Sequence, residues 1–155
     1  MTFRILALPA EPFAHLAALS DPALAERDIR RITVDESPGT PCRVSLADAP
    51  VGEAVYLLPW THLDVASPYR ASGPIFVREA AIRADPEPGE VPDMIRRRLL
   101  SARAYDAAGM MVTAEVLEGR DVATHLSALF VDARVREAHL HFARQGCFGA
   151  RAVRA

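Results

Sequence analysis

The chain has 155 residues, of which half are hydrophobic and a quarter are charged, as in a folded globular protein with one substantial core. Its formal net charge of −2 excludes the strongly basic surface of a nucleic-acid-binding or membrane-surface protein, and no apolar stretch is long enough to span a bilayer. Pro9, Glu11 and Pro12 interrupt the apolar N-terminus, which therefore lacks the uninterrupted core of a secretory signal. We expect a cytoplasmic protein without nucleic-acid or membrane partners, with residues 1–155 forming a single domain.

The predicted elements of the first half are four strands and two short helical segments. A strand is expected over 3–8, a helix over 11–19, and a helical turn over 20–27 with Asp21 as its cap and Pro22 as its first helical residue. Strands follow over 28–35, 53–60 and 73–82, where β-branched and aromatic residues are bounded by proline- and glycine-rich loops. The segment 73–82 carries the clearest strand pattern of the chain.

The second half predicts a short helix over 92–99, hairpin strands over 99–106 and 110–118, an amphipathic helix over 120–132 capped by Asp121, and a last strand over 134–144. Strands occur in runs, with helices at the start and before the last strand. This order predicts an α+β fold with a mainly antiparallel sheet and a few helices packed on one face. A mixed sheet, with the helix over 121–131 as one crossover, remains the alternative.

Two histidines share one side of the predicted last strand. Because successive side chains of a strand alternate, Leu140 and Phe142 point to the core and His139 and His141 point the other way. The same alternation in the neighbouring predicted strands adds further polar residues to this face, namely Arg78, Arg103, Tyr105 and Glu115. With loops 36–46 and 60–73 over it, the face becomes a candidate cleft, although a solvated sheet face shows the same pattern.

Three kinds of chemistry fit these residue types. A zinc site needs a third ligand beside His139 and His141, for which Cys147, His62, Glu115 and Glu137 are the candidates. No diagnostic ligand spacing accompanies them, so we expect no metal and no cofactor. Cys42 and Cys147 stand near cationic residues and are candidate nucleophiles; the alternative is two inert reduced thiols, with at least Cys42 buried.

Anion binding is the third kind of chemistry, because a guanidinium grips carboxylates and phosphates through paired hydrogen bonds. All 18 basic residues are arginine and lysine is absent, which a GC-rich bacterial genome explains. The abundance of arginine is therefore not evidence for anion binding. A single arginine is evidence only where its position requires a planar cation. The strongest case is the mid-strand Arg103, which is flanked on its face by Ser101 and Tyr105.

Four segments resemble a known family: PGTPCRVSL, SPYRASGPIFVRE, RLLSARAYDAAGMM and GCFGARAVRA. They are similar to the bacterial domain of unknown function 1203, and the resemblance extends over nearly the whole chain. It implies a bacterial single-domain protein and assigns no reaction and no role to any residue. Phe148 departs from the tyrosine expected in this last segment, which argues against a required hydroxyl group there.

The leading hypothesis is a domain that binds a small anionic ligand in the cleft between the polar face and the two loops. The predicted ligand-binding residues are Arg43, Arg78, Arg103, Tyr105, His139, His141 and Cys147. Histidines charged below about pH 6.5 would strengthen anion binding as the pH falls. The alternative is a non-catalytic interaction module that forms a homodimer through the same face. The sequence specifies neither a reaction nor a substrate.

Overall fold

A computed structural model describes residues 2–155 of the chain, which form ten strands in two five-stranded sheets. The strands are β1 (Phe3–Leu6), β2 (Arg30–Thr33), β3 (Pro41–Cys42), β4 (Ala47–Asp48), β5 (Ala54–Leu63), β6 (Ala71–Arg78), β7 (Leu99–Tyr105), β8 (Met111–Glu118), β9 (Glu137–Phe142) and β10 (Phe148–Arg154). The first sheet, in the order β1-β10-β9-β7-β8, is called the histidine sheet below. The other, in the order β2-β5-β6-β3-β4, is called the second sheet.

Helices are few and short. They are α1 (Asp21–Ala25), α2 (Asp93–Arg96), α3 (Val122–Leu129) and two 3-10 helices over Glu11–Ala18 and Gly119–Asp121. The predicted α+β class with mainly antiparallel pairing is confirmed, because every strand pair is antiparallel except β3 with β6. Helix α3 does connect β8 to β9 across β7, yet neighbouring strands of the histidine sheet all remain antiparallel. No helix within residues 2–155 is long and apolar enough to cross a membrane.

One face of the histidine sheet forms the larger hydrophobic core. Leu140 and Phe142 of β9 pack there with the helices, together with Met94, Leu126 and Phe130. The opposite face lies against the second sheet, because Phe148 of β10 belongs to the hydrophobic cluster of β5 and β6. The arginine Nε of Arg43 also donates to the carbonyl oxygen of Phe148 at 2.8 Å, from the second-sheet side of the contact. The division into two sheets is the main feature that the sequence did not reveal.

Several predicted boundaries require correction. The strand predicted over 134–144 is β9, and the last strand is β10, which inserts between β1 and β9. Helix α1 is capped by the Ser20 hydroxyl oxygen, which accepts from the Ala23 N–H at 3.3 Å, and not by Asp21. Asp121 does occupy the N-cap of α3, but its side chain makes no capping hydrogen bond. The loop predicted over 60–73 is half strand, since β5 continues to Leu63 and β6 starts at Ala71.

Candidate metal centre

The two histidines of β9 lie on the same side of their strand, as predicted, and opposite Leu140 and Phe142. The side they occupy is not a solvated face. His139 is 0% exposed and His141 is 1% exposed, because the second sheet covers them. The sheet face that the sequence predicts as a cleft is therefore an interior between two layers.

His62 of β5 completes a cluster of three histidines. The pairing of β5 with β6 is irregular between Thr61 and Leu63, so His62 stands at a bulge. Bulges re-aim a side chain relative to the regular strand. The His62 ring lies 4.9 Å from the His141 ring and 5.6 Å from the His139 ring, centroid to centroid. One ring nitrogen from each histidine lies within 4.8 Å of the others.

The hydrogen bonds of the β9 histidines determine which nitrogen of each ring keeps its lone pair. A carboxylate only accepts, so His139 donates its Nε2–H to Glu137 Oε1 at 3.0 Å, and in the neutral ring Nδ1 carries the lone pair. A carbonyl also only accepts, so His141 donates its Nδ1–H to the Gly146 oxygen at 3.0 Å and leaves Nε2 unprotonated. These two free nitrogens, and Nδ1 of His62, are buried without a hydrogen-bond partner among the described residues.

Burial keeps His62 and His141 neutral. Desolvation, together with the nearby His139 and Arg103, lowers the pKa of His62 to about 4. Desolvation, aided by Arg103 and opposed by the hydrogen bond to the Gly146 carbonyl, lowers the pKa of His141 to about 3. The expectation that the β9 imidazoles gain charge below about pH 6.5 is therefore wrong for His141. Neutral imidazole is the form that binds metal ions.

Glu137 is held in place from its other side. The Nε of Arg151 lies 2.8 Å from Glu137 Oε2, while Oε1 accepts from His139. The hydrogen bond from His139, aided by the charge of Arg151, holds the pKa of Glu137 below its usual range despite partial burial. Glu137 is therefore an ionised carboxylate that is hydrogen-bonded to His139. Such carboxylates behind metal-binding histidines orient the ring and increase its basicity.

Phe148 packs among the three imidazoles. The pairing of β10 with β9 shifts between Phe148 and Ala150, which brings Phe148 opposite His141 on the histidine side of the sheet. Its ring is stacked on His62 with centroids 5.2 Å apart and planes 4° apart, and it meets His139 edge-on, also at 5.2 Å. Gly149 allows this shift, because a Cβ there would lie 2.9 Å from the Leu140 oxygen. The aromatic ring limits the space next to the cluster.

Arg103 and Tyr105 border the same cluster. Arg103 of β7 is the direct cross-strand partner of His139, so the two side chains share a face. Its Nε donates to Ser101 Oγ at 3.2 Å. Burial raises the pKa of Tyr105, while Arg103 opposes the shift. The Tyr105 ring lies 5.2 Å from the His139 ring. Of the predicted ligand-binding residues, the structure thus brings together Arg103, Tyr105, His139 and His141.

Comparison with known proteins assigns the family. Residues 39–154 match a family described as protein of unknown function, DUF1203. The chain belongs to the DUF1203 family. The match covers most of the chain and includes all three clustered histidines and Arg103. No curated protein and no solved structure matches this DUF1203 chain.

Three candidate residues of the DUF1203 chain have other partners. Arg78 lies in the second sheet, where its Nε and one terminal nitrogen bind Glu53 at 2.6 and 2.7 Å. Arg43 is only 1% exposed and donates to Pro41, Phe148 and Cys147. Cys147 thus contacts Arg43 and is not among the clustered metal-binding candidates. These residues support the structure around the cluster.

The remaining sequence-based expectations have mixed outcomes. Glu115 of β8 lies opposite Ala102 in the ladder, so it projects to the other side of the sheet from Arg103, whose partner is Ala114. Both cysteines are free and Cys42 is buried, as predicted. The Cys42 sulfur accepts from the backbone N–H groups of Ser45 and Arg78, at 3.4 and 3.3 Å, which fits the inert-thiol alternative for this residue.

Larger cavities of the DUF1203 chain lie away from the histidines. A surface cavity of about 600 Å³ borders Thr2 and Thr124, and one of about 490 Å³ borders Leu57 and Pro74. Neither is lined by His62, His139 or His141. One ring nitrogen from each of the three histidines lies within 4.8 Å of the others, a spacing close enough for a single metal ion.

Proposed function

We propose that this protein binds one divalent transition-metal ion through His62, His139 and His141. The observation that carries the proposal is the convergence of three imidazoles, each of which has a buried ring nitrogen without a hydrogen-bond partner among residues 2–155. A buried polar atom without a partner costs about 1–3 kcal/mol. One ion would satisfy three such atoms at once, whereas an unoccupied cluster bears the full cost.

The donor set favours zinc among the common metals. Three imidazole nitrogens suit zinc, copper, iron or nickel and do not suit calcium or magnesium, which prefer oxygen. With zinc–nitrogen distances of about 2.0–2.1 Å, tetrahedral ligands stand about 3.3 Å apart. The nitrogens here lie within 4.8 Å of one another, so modest ring rotations complete the site. Three protein ligands leave the fourth position open, as in catalytic zinc sites.

This proposal departs from the sequence-based expectation of no metal. It also implies that an anionic ligand would bind to the metal and not directly to the histidines. The free nitrogens of His139 and His141 present lone pairs, which repel an anion and attract a cation. A small anion beside these histidines therefore needs the metal as its partner. The homodimer alternative has no support at this face, because the second sheet covers the histidine side.

Metal titration of the chelator-treated protein tests the proposal. We expect one Zn²⁺ or Co²⁺ per chain by calorimetry, with Co²⁺ giving the visible absorption of a tetrahedral nitrogen-ligated site. His62→Gln, His139→Gln and His141→Gln should each abolish tight binding. The matched control is His15→Gln, which changes an exposed histidine outside the cluster. Absence of binding, or equal binding by all four variants, would overturn the proposal.

A further inference from the structure

We infer that the open position of the metal takes a small oxyanion, a carboxylate or a phosphate, whose second oxygen is held by the guanidinium of Arg103. The inference rests on the metal proposed above and names the class of ligand that the centre receives. Three properties of Arg103 support the inference: its position in the strand, its lack of an acidic partner, and the hydroxyl groups of neighbouring residues.

The position of Arg103 is set by strand register. Arg103 faces His139 directly across the β7–β9 ladder, and Ser101 faces His141 in the same way. Directly opposed residues have Cβ atoms about 4.5–5.5 Å apart. The arginine side chain therefore starts beside the metal ligands and is mounted on a rigid strand in the middle of the sheet.

The charge of Arg103 is not neutralised by the protein. Across residues 2–155, no carboxylate lies within 4.0 Å of its side-chain nitrogens, and its side-chain hydrogen bond goes to the hydroxyl group of Ser101. Arg78, by contrast, is fully paired with Glu53. A guanidinium has five N–H donors in a planar fork, which matches the two oxygens of a carboxylate or phosphate.

The surroundings of Arg103 add donors and limit the size of the ligand. Ser101 and Tyr105 carry hydroxyl groups that can donate to an oxyanion. The Tyr105 ring is in edge contact with Tyr69, at 6.2 Å between centroids, and Tyr69 is 39% exposed on the connection between β5 and β6. Tyr105 is only 3% exposed, and His139 and His141 are 0% and 1% exposed. The space beside these buried rings therefore suits a small oxyanion, or the acidic end of a larger molecule.

A metal ion and a guanidinium on the same side of a buried centre form a two-point clamp for an oxyanion. The metal withdraws electron density from the oxygen that it binds, which is the Lewis-acid role of zinc in enzymes. Arg103 orients the same group through its fork of N–H donors. A bound oxyanion would also give Arg103 the negatively charged partner that no carboxylate among the described residues supplies.

The test uses the Co²⁺-loaded protein, whose visible absorption reports on ligands at the metal. Sodium acetate and inorganic phosphate are titrated separately, so that the two sources of an oxyanion are distinguished. We expect one or both to change the spectrum saturably. Arg103→Lys should lower the affinity for that anion at least tenfold, while the Co²⁺ affinity changes less than threefold. The control Arg134→Lys, at an exposed arginine paired with Asp132, should change neither affinity.

Ser101→Ala is a second variant that keeps the arginine and removes its hydroxyl partner. It should lower the affinity for the same anion severalfold. This variant tests the inference even if Arg103→Lys does not fold. Failure to bind Co²⁺ at all refutes the metal site. Normal Co²⁺ binding with no response to acetate or phosphate, or a response that is unchanged in both Arg103→Lys and Ser101→Ala, refutes the anion clamp alone.

Discussion

Acidification of the metal-free protein should destabilise it through its buried histidines. The pKa of His141 is about 3 and that of His62 is about 4 in the folded chain, whereas a histidine in an unfolded chain titrates near 6.5. Between these values the unfolded state binds more protons than the folded state. The contribution of these groups is thus fully present above about pH 6.5 and is lost as the pH falls toward 4.

The size of the effect follows from proton linkage. At pH 5.5 about nine-tenths of an unfolded histidine is protonated, so neutral His141 contributes a slope of about 1.2 kcal/mol per pH unit. Between pH 6.5 and 5.0 this amounts to about 1.6 kcal/mol from His141 alone. His62 is only half-buried, so solvent screening makes its contribution smaller. Carboxylates titrate mainly below this window and contribute little to it.

Urea unfolding at several pH values from 5.0 to 6.5, with a chelator present, measures this slope. His141→Gln keeps a hydrogen-bonding side chain but removes the titrating group, so its stability should vary with pH by about 1 kcal/mol per unit less than the wild type. His15→Gln should leave the slope unchanged, because that histidine is exposed. A wild-type unfolding free energy that is constant across the window, or a His141→Gln slope equal to the wild type, would refute the reasoning.

Three further changes have defined outcomes. Glu137→Gln should lower zinc affinity about 10–100-fold in chelator competition, while Glu115→Gln, on the other side of the sheet, should not; equal affinities would show that Glu137 does not support a ligand. Gly149→Ala should cost about 1–3 kcal/mol in urea unfolding, because the new Cβ meets the Leu140 oxygen at 2.9 Å, and an unchanged midpoint would contradict this. Zinc at 100 times its Kd should stabilise the wild type by about 2.7 kcal/mol in thermal melts, a gain that His62→Gln should lack.

The alternation within single strands was the most reliable guide to the site. It placed His139 and His141 on one side of β9, and Arg103 beside them, because the period of two depends only on local backbone geometry. It failed for Glu115, whose side depends on the register of β8 against β7. Register is a property of the strand pair, and a one-residue difference transfers a side chain to the opposite face.

The pairing of distant segments could not be predicted from local pattern. The segment that forms β10 is rich in glycine, alanine and arginine, which have no strong preference for strands, and it is extended because it fits between β1 and β9. Likewise, the sequence did not show that a second sheet covers the histidine side. Burial of His139 and His141 is a consequence of that packing and not of any feature of β9 itself.

The sequence offers His62 as one of several candidate metal ligands but predicts it in a loop, because Pro59 indicates the end of a strand. The strand continues because β2 pairs with β5 only as far as Leu57, and Pro74 is the residue opposite Pro59. A missing N–H is tolerated where the neighbouring edge is open. The signal that identifies His62 is therefore the three-dimensional approach of β5 to β9, which the sequence does not carry.

The ligands of the proposed metal come from both sheets, and this ties the site to the packing of the fold. His62 belongs to the second sheet, while His139 and His141 belong to the histidine sheet. An ion bound by all three would join the two layers, and its affinity would depend on how closely they approach. Phe148 sits at that junction, stacked on His62. Bulges at His62 and beside Phe148 orient these rings, and such local irregularities in otherwise regular strands are typical of functional sites.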